Sequence, residues 1–174
     1  MAKTGRIGWR ALMVVAVLIA ESRISAHGQA QQRVRAEDEH LNALIRQAIE
    51  QSATFRSVVE GIQGTNGIVY VIRGRCGHHL RACLLLWMAP AGPDRMLRVV
   101  VDDSRKAADI DTMASLGHEL RHALEVLTET NATTGAGMFQ FYRHSGGVKG
   151  VFETEAAIEA GDAVSNELKR RRAN

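Results

Sequence analysis

Two histidines and a glutamate stand together in the run His118-Glu119-Leu120-Arg121-His122. Residues four apart in a helix project from the same face, so both imidazoles can point at one metal ion. Imidazole nitrogens bind Zn²⁺ at about 2.0–2.1 Å. Glu119 is placed to accept a proton from a water that such an ion activates. The spacing therefore predicts a zinc site, with His118 and His122 as metal ligands and Glu119 as a general base.

This run must lie on a helix for the chemistry to work. The pattern predicts a helix that is capped by Asp109 or Asp111 and runs to about Thr128. Its apolar residues recur at helical spacing and form one stripe opposite the histidines: Leu116, Leu120, Ala123, Leu124 and Leu127. We therefore expect one face of the helix in the core and the other at the site.

The arrangement resembles the zincin metallopeptidases, in which two histidines of a His-Glu-x-x-His pattern bind zinc and the glutamate is the general base. Metzincins continue the pattern to a glycine and then a third histidine. Here Glu125 and Thr128 stand at the matching positions, which excludes that subgroup. The chain is more similar to small gluzincins, which supply a glutamate from a later helix.

The resemblance also suggests the third metal ligand. Glu153 begins a Glu-x-x-Ala element of the gluzincin kind, 31 residues after His122, and is the favoured ligand. In the alternative, Glu155 and Glu159 resemble the Glu-x-x-x-Asp element of larger gluzincins. Glu155 would then bind the metal, and Glu159 would contact a ligand histidine. Residues two apart on a helix point about 200° apart, so Glu153 and Glu155 do not easily share one ion.

What the resemblance implies is a zinc-dependent peptidase acting on a peptide or protein. In zincins an edge strand before the active helix binds the substrate backbone, and residues 96–101 are the candidate here. Tyr142 or His144 is a weaker candidate for donating to the oxyanion. The alternative is an exported zinc-binding domain without peptidase turnover, acting through a protein partner. Glu119 favours the hydrolase, because structural zinc sites usually fill four positions with protein ligands.

Residues 1–30 have the pattern of a secretory signal peptide. Basic residues precede an uncharged apolar run over 11–20, and Gly28-Gln29-Ala30 resembles a cleavage site, with Ile24-Ser25-Ala26 as a poorer one. We expect export to the periplasm or the extracellular space and no membrane attachment after cleavage. An uncleaved N-terminal anchor is the alternative, although the apolar run is short for a membrane span.

Cys76 and Cys83 are the two cysteines of the chain. In an exported protein, a disulfide between them is predicted, and it would staple the end of a β-hairpin. The alternative is a second metal site built from Cys76, His78, His79 and Cys83. That site would lack the second pair of ligands that structural zinc sites carry.

The 174 residues are 45% hydrophobic and 24% charged, which suits one domain over residues 31–174. Two helices are predicted in the first part of the chain, one at 36–50 and one after Ser52 or Thr54. Three strands follow, at 68–72, 82–88 and 96–101. After the active-site helix, a loop is predicted over 130–150 and a last helix over about 153–171. The 82–88 strand is predicted to be covered on both faces, and Phe139 and Phe141 to tuck under the loop. The fold predicted is α+β, with a small three-stranded antiparallel-type sheet packed against the active-site helix and a C-terminal ligand helix.

Nucleic-acid binding is not expected. The net charge is +3, the basic residues of the tail form the short run 169–172, and aromatic residues make up 5% of the chain. A nucleic-acid surface needs clustered basic residues on a folded face. The sequence sets no prediction for oligomeric state.

Overall fold

A computed structural model describes residues 32–77, 80–102, 108–145 and 152–173. The elements run in the order β1 (Val34–Ala36), α1 (Glu39–Gln51), α2 (Ala53–Gln63), β2 (Gly67–Gly74), β3 (Ala82–Ala91), β4 (Asp94–Asp102), α3 (Asp109–Thr128), α4 (Gly135–His144) and α5 (Glu155–Ala173). The described residues from Arg33 onward belong to one compact unit. The coarse α+β prediction is confirmed. The signal-peptide prediction falls on residues outside the described ranges.

The sheet differs from the one predicted. It has four strands in the order β1-β2-β4-β3. β1 and β2 are parallel, β2 and β4 are parallel, and only β3 and β4 pair antiparallel. The expected three-stranded antiparallel sheet is therefore wrong, because β4 returns from its hairpin with β3 and pairs between β2 and β3. β2 and β3 are consecutive in the chain and were expected to pair because the connection between them is short, but they do not pair with each other.

Burial follows this strand order. β4 is central, and its Leu97, Val99, Val100 and Val101 are all buried. β3 forms the edge, and its Leu86 is 42% exposed, so the prediction that this strand is covered on both faces is wrong. β3 and β4 join through a tight turn in which Gly92 has a φ of 67°, a conformation that favours glycine.

Side-chain caps were predicted for α2 and α3, and the prediction is confirmed only at Ser52 of α2. Asp38 caps α1, and Ser52 caps α2 by accepting a hydrogen bond from the Phe55 amide. α3 begins after Ala108, which offers no side-chain cap, so Asp109 and Asp111 lie in its first turn instead. Carboxylates there still stabilise the helix through its dipole.

The segment predicted as a loop over 130–150 contains helix α4. Thr134 caps it by accepting a hydrogen bond from the Gly137 amide. Met138 and Tyr142 are buried on its inner face, whereas Phe139 is 37% exposed and Phe141 is partly buried. The expectation that both phenylalanines tuck under a loop is therefore wrong for Phe139, because the helix turns its ring outward.

Helices α3 and α5 pack closely beside the histidine run. A Cβ added at Gly117 of α3 would lie 2.9 Å from Val164, and one added at Gly161 of α5 would lie 3.1 Å from the Cβ of His118. Glycines at these two positions therefore let the helices approach. The contact fixes the part of α3 that carries His118 against the rest of the core.

Cys76 and Cys83 form a disulfide with a Cα–Cα distance of 5.9 Å, so that prediction is confirmed. The bond does not staple a hairpin, since β2 and β3 are not neighbours; it ties the chain after β2 to the start of the edge strand β3. Both sulfurs are used, which removes the alternative metal site at Cys76, His78, His79 and Cys83. His78 and His79 lie outside the described residues.

Replacing both Cys76 and Cys83 by serine should lower the free energy of unfolding by roughly 2–3 kcal/mol, since the bond restricts a short loop in the unfolded chain. Urea unfolding of the oxidised wild type and the double variant measures the difference. Wild type treated with a reductant is the matched control and should behave as the variant does. Equal midpoints for all three would show that the bond adds nothing to stability.

Candidate metal centre

Helix α3 brings His118 and His122 to one side of the site. Leu116 and Leu120 of the same helix are fully buried and anchor it in the core. The two imidazole centroids lie 4.8 Å apart with the rings nearly perpendicular. His122 is buried and His118 is partly exposed, so one imidazole is held inside the protein and the other faces the solvent-accessible side.

The Glu153 carboxylate contacts the imidazoles of both His118 and His122. Its Oε1 lies 2.9 Å from Nε2 of His118 and 3.1 Å from Nε2 of His122. One ligand atom from each of the three residues can be chosen so that all lie within 4.8 Å of one another, a group that could hold a metal ion. Donors around a tetrahedral zinc lie roughly 3.3 Å apart, given zinc–ligand distances near 2.0–2.1 Å. Two imidazoles and a carboxylate of this geometry fit such an ion with small movements.

Glu155 does not join this group. It is the first residue of α5 and is exposed, as is Glu159 one turn later. Among the described residues, the structure therefore brings Glu153 to the histidines and leaves the Glu-x-x-x-Glu pair away from them. Glu153 itself lies two residues before α5 rather than on it, so the predicted start of that helix at residue 153 was too early.

Glu119 lies beside the group without entering it. Its Oε2 accepts a hydrogen bond of 2.7 Å from the Leu84 amide of β3, while its Oε1 lies 3.9 Å from Nε2 of His118. Burial raises the pKa of Glu119 to about 7, although the nearby His122 and the Leu84 amide work against the rise. The edge strand thus holds one carboxylate oxygen and leaves the other facing the three converging donors.

Glu125 contacts His122 from the side away from Glu153. Its Oε2 lies 3.3 Å from Nδ1 of His122, and it accepts a hydrogen bond of 2.9 Å from the Thr154 hydroxyl. Burial alone would raise the pKa of Glu125, but these two hydrogen bonds bring it below its usual range. For His122, burial lowers the pKa, but the hydrogen bond to Glu125 and the surrounding carboxylates outweigh it and leave the pKa raised.

The sequence reasoning missed this contact. Glu125 was considered only because it stands where metzincins have the glycine that precedes their third histidine. The signal was present, because a residue three after His122 on a helix lies on the same face and can reach the imidazole.

Two other residues considered from the sequence have different roles. Tyr142 is buried, and its hydroxyl donates a 3.0 Å hydrogen bond to the backbone oxygen of His122, so it is not available to a reacting group. Burial raises the pKa of its hydroxyl further above the usual range. His144 is exposed and contacts the Gln140 backbone oxygen. Tyr142 lines the same cleft as His118 and His122, whereas His144 lines a separate one.

A cleft of about 410 Å³ opens over the group. The edge strand β3 lines it, so the candidate strand for substrate binding is β3 and not residues 96–101, which lie in the central strand β4. Three of the exposed large apolar side chains also line it: Leu80, Leu86 and Phe152. An apolar surface around converging polar groups is typical of a ligand site.

Comparison with protein-family models, with curated proteins and with solved structures finds no match to this chain. In the described ranges no helix has the length and apolar character that crossing a membrane requires.

Proposed function

We propose that this chain is an exported, zinc-dependent metallopeptidase of the gluzincin type. The observation that carries the proposal is the convergence of the two Nε2 atoms of His118 and His122 on Oε1 of Glu153, with the Glu119 carboxylate adjacent. Two histidines and a glutamate are the donor set of catalytic zinc sites in peptidases, and three protein ligands leave a fourth position open.

When bound, zinc supplies Lewis-acid chemistry that polarises a carbonyl and makes a water acidic at neutral pH. The chain's own residues supply the rest. Glu119 accepts the proton of the attacking water at Oε1 and can return it to the leaving amine. The Leu84 amide holds the other oxygen of the same carboxylate and so keeps Oε1 directed at the site.

A peptide substrate is supported by the shape of the site. β3 is an edge strand that runs along the cleft, and an extended peptide can add to such an edge through backbone hydrogen bonds. The exposed Leu80, Leu86 and Phe152 offer apolar contact to its side chains. Export is supported by the leader pattern of residues 1–30 and by the disulfide, which persists in oxidising compartments.

Metal removal tests the function. Protein purified without a histidine tag should contain about one zinc per chain and should cleave members of a diverse peptide library. Exhaustive chelation should abolish cleavage, because the water is then no longer activated, and one equivalent of Zn²⁺ should restore it. Mass spectrometry of the library and elemental analysis of the protein give both readouts.

Two results would contradict this proposal. Cleavage that persists at full rate after zinc has been removed, as verified by elemental analysis, would place the activity elsewhere. Stoichiometric zinc without cleavage of any peptide, including by protein freed of residues 1–30, would favour the zinc-binding domain without turnover.

A further inference from the structure

The Glu125 carboxylate lies between the two parts of the site that come from distant points in the chain. One part is His122, on the same helix. The other is the turn just before α5, where Thr154 follows Glu153. Glu125 contacts both, through Nδ1 of His122 at 3.3 Å and the Thr154 hydroxyl at 2.9 Å. Its side chain is only 11% exposed, so water competes little for these contacts.

We propose that Glu125 and Thr154 form a clamp that positions both His122 and Glu153 for the metal. The inference rests on the proposed metal site. Glu125 accepts the Nδ1 proton of His122, which leaves the Nε2 lone pair directed at the ion. Through Thr154 the same carboxylate fixes the residue next to Glu153, and so sets the distance between the third carboxylate and the histidines.

Glu153 needs such support because it lies ahead of the helix. A ligand within a helix is oriented by its neighbours one turn away, but Glu153 lies two residues before α5 begins. Thr154 is the only residue between them. Its oxygen accepts a hydrogen bond of 3.2 Å from the Ala157 amide in the first turn of α5, and its proton goes to Glu125. One hydroxyl therefore joins the start of α5 to α3 beside the site.

Charge balance favours the ionised form of Glu125 in this place. Arg121 approaches it to 3.5 Å on the exposed side of α3. The carboxylate thus has a cation on one side and two hydrogen-bond donors on the other. An acidic partner on a ligand imidazole also makes the ring a better metal donor, and loss of such partners typically weakens metal binding by about 10- to 100-fold.

The test is competitive titration of the full, metal-free chain with Zn²⁺, alongside its thermal unfolding. Glu125→Ala should weaken zinc binding by about 10- to 100-fold. Thr154→Val should weaken it by roughly 10-fold, because valine keeps the shape but neither donates nor accepts. Thr154→Ser is the matched control and should bind as wild type does. Because both residues act in one clamp, the double variant Glu125→Ala/Thr154→Val should lose less zinc affinity than the two single fold-changes multiplied together.

The outcomes separate this inference from the proposed function. Wild-type affinity in Thr154→Val, or equal losses in Thr154→Val and Thr154→Ser, would overturn the clamp. So would lower melting temperatures of the metal-free variants together with unchanged zinc affinity, which is the result of a purely structural role. Zinc binding by wild type without peptide cleavage would refute the peptidase and leave the clamp standing. No zinc binding by wild type would overturn the site and the clamp together.

Discussion

Replacing Glu119 by glutamine should leave zinc bound and lower kcat for peptide cleavage by roughly 10²- to 10⁴-fold, the usual contribution of a general base. Metal should stay because Glu119 is outside the group of His118, His122 and Glu153. The fold should stay because the amide oxygen of glutamine can still accept the hydrogen bond from the Leu84 amide. What is lost is the group that we propose takes the proton of the attacking water.

Three measurements on the same preparations make this decisive: zinc content by elemental analysis, thermal unfolding, and cleavage of a peptide that wild type hydrolyses. Glu129→Gln is a suitable control, since Glu129 lies just beyond the end of α3, away from the group. It should match wild type in all three. Undiminished cleavage by Glu119→Gln with zinc still bound would rule out this glutamate as the base, and the proposed chemistry with it.

The pairing of His118 with His122 could be predicted from the sequence, because spacing along a helix determines which side chains share a face. His118 and His122 are four positions apart, a spacing that places both rings on one face of α3 whatever the rest of the fold does. The predicted end at about Thr128 matches the end of α3, whereas Asp109 and Asp111, the predicted caps, lie inside its first turn. The local sequence pattern therefore predicted the part of the site that lies on helix α3.

The sheet could not be read in the same way, because strand pairing is decided by tertiary packing. Residues 82–88 and 96–101 both read as apolar strands, and nothing in either pattern says which one is central. β1 has only three residues, too few for a periodic pattern, yet it adds a parallel strand beside β2. As a result, residues 96–101 of β4 were predicted to be the substrate-binding edge strand, whereas β3, the other strand of the hairpin, lines the cleft.

The rest of the site depended on contacts between segments far apart in the chain. Glu153 was favoured through a resemblance, and its place beside the histidines depends on how the turn before α5 packs on α3. The hydrogen bonds from Leu84 to Glu119 and from Thr154 to Glu125 also depend on tertiary packing, so the hydrophobic periodicity of the sequence could not predict them. Helix α4 was missed for another reason: Gly135 and Gly137 suggested a loop, whereas the Thr134 cap and the burial of Met138 and Tyr142 support a helix.

Removing any one of the three converging side chains should have the largest effect on metal binding. His118→Ala, His122→Ala and Glu153→Gln should each lose most of the bound zinc, because two remaining donors hold an ion far more weakly than three. Glu155→Gln is the matched control, a carboxylate two residues away that is exposed at the start of α5. It should retain about one zinc per chain.

Buried positions call for a check that loss of metal is not loss of fold. His122 is only 5% exposed, and alanine there removes a ring that packs against Tyr142, with centroids 5.4 Å apart. Glu153→Gln avoids this problem, since it changes one atom on a partly exposed side chain. Circular dichroism should show the wild-type fold for Glu153→Gln in the metal-free state.

The comparison between Glu153 and Glu155 then decides the third ligand. Glu153 Oε1 lies 2.9 Å and 3.1 Å from the two imidazole nitrogens, close to the roughly 3.3 Å between donors of a tetrahedral zinc, and Glu155 is not part of the group. We expect elemental analysis to show zinc lost in Glu153→Gln and kept in Glu155→Gln. The reverse result, with both proteins folded, would mean that the turn before α5 rearranges when metal binds and that Glu155 replaces Glu153. Full zinc occupancy in both histidine variants would remove the metal site from α3 altogether, since no arrangement of the glutamates alone reproduces a two-histidine donor set.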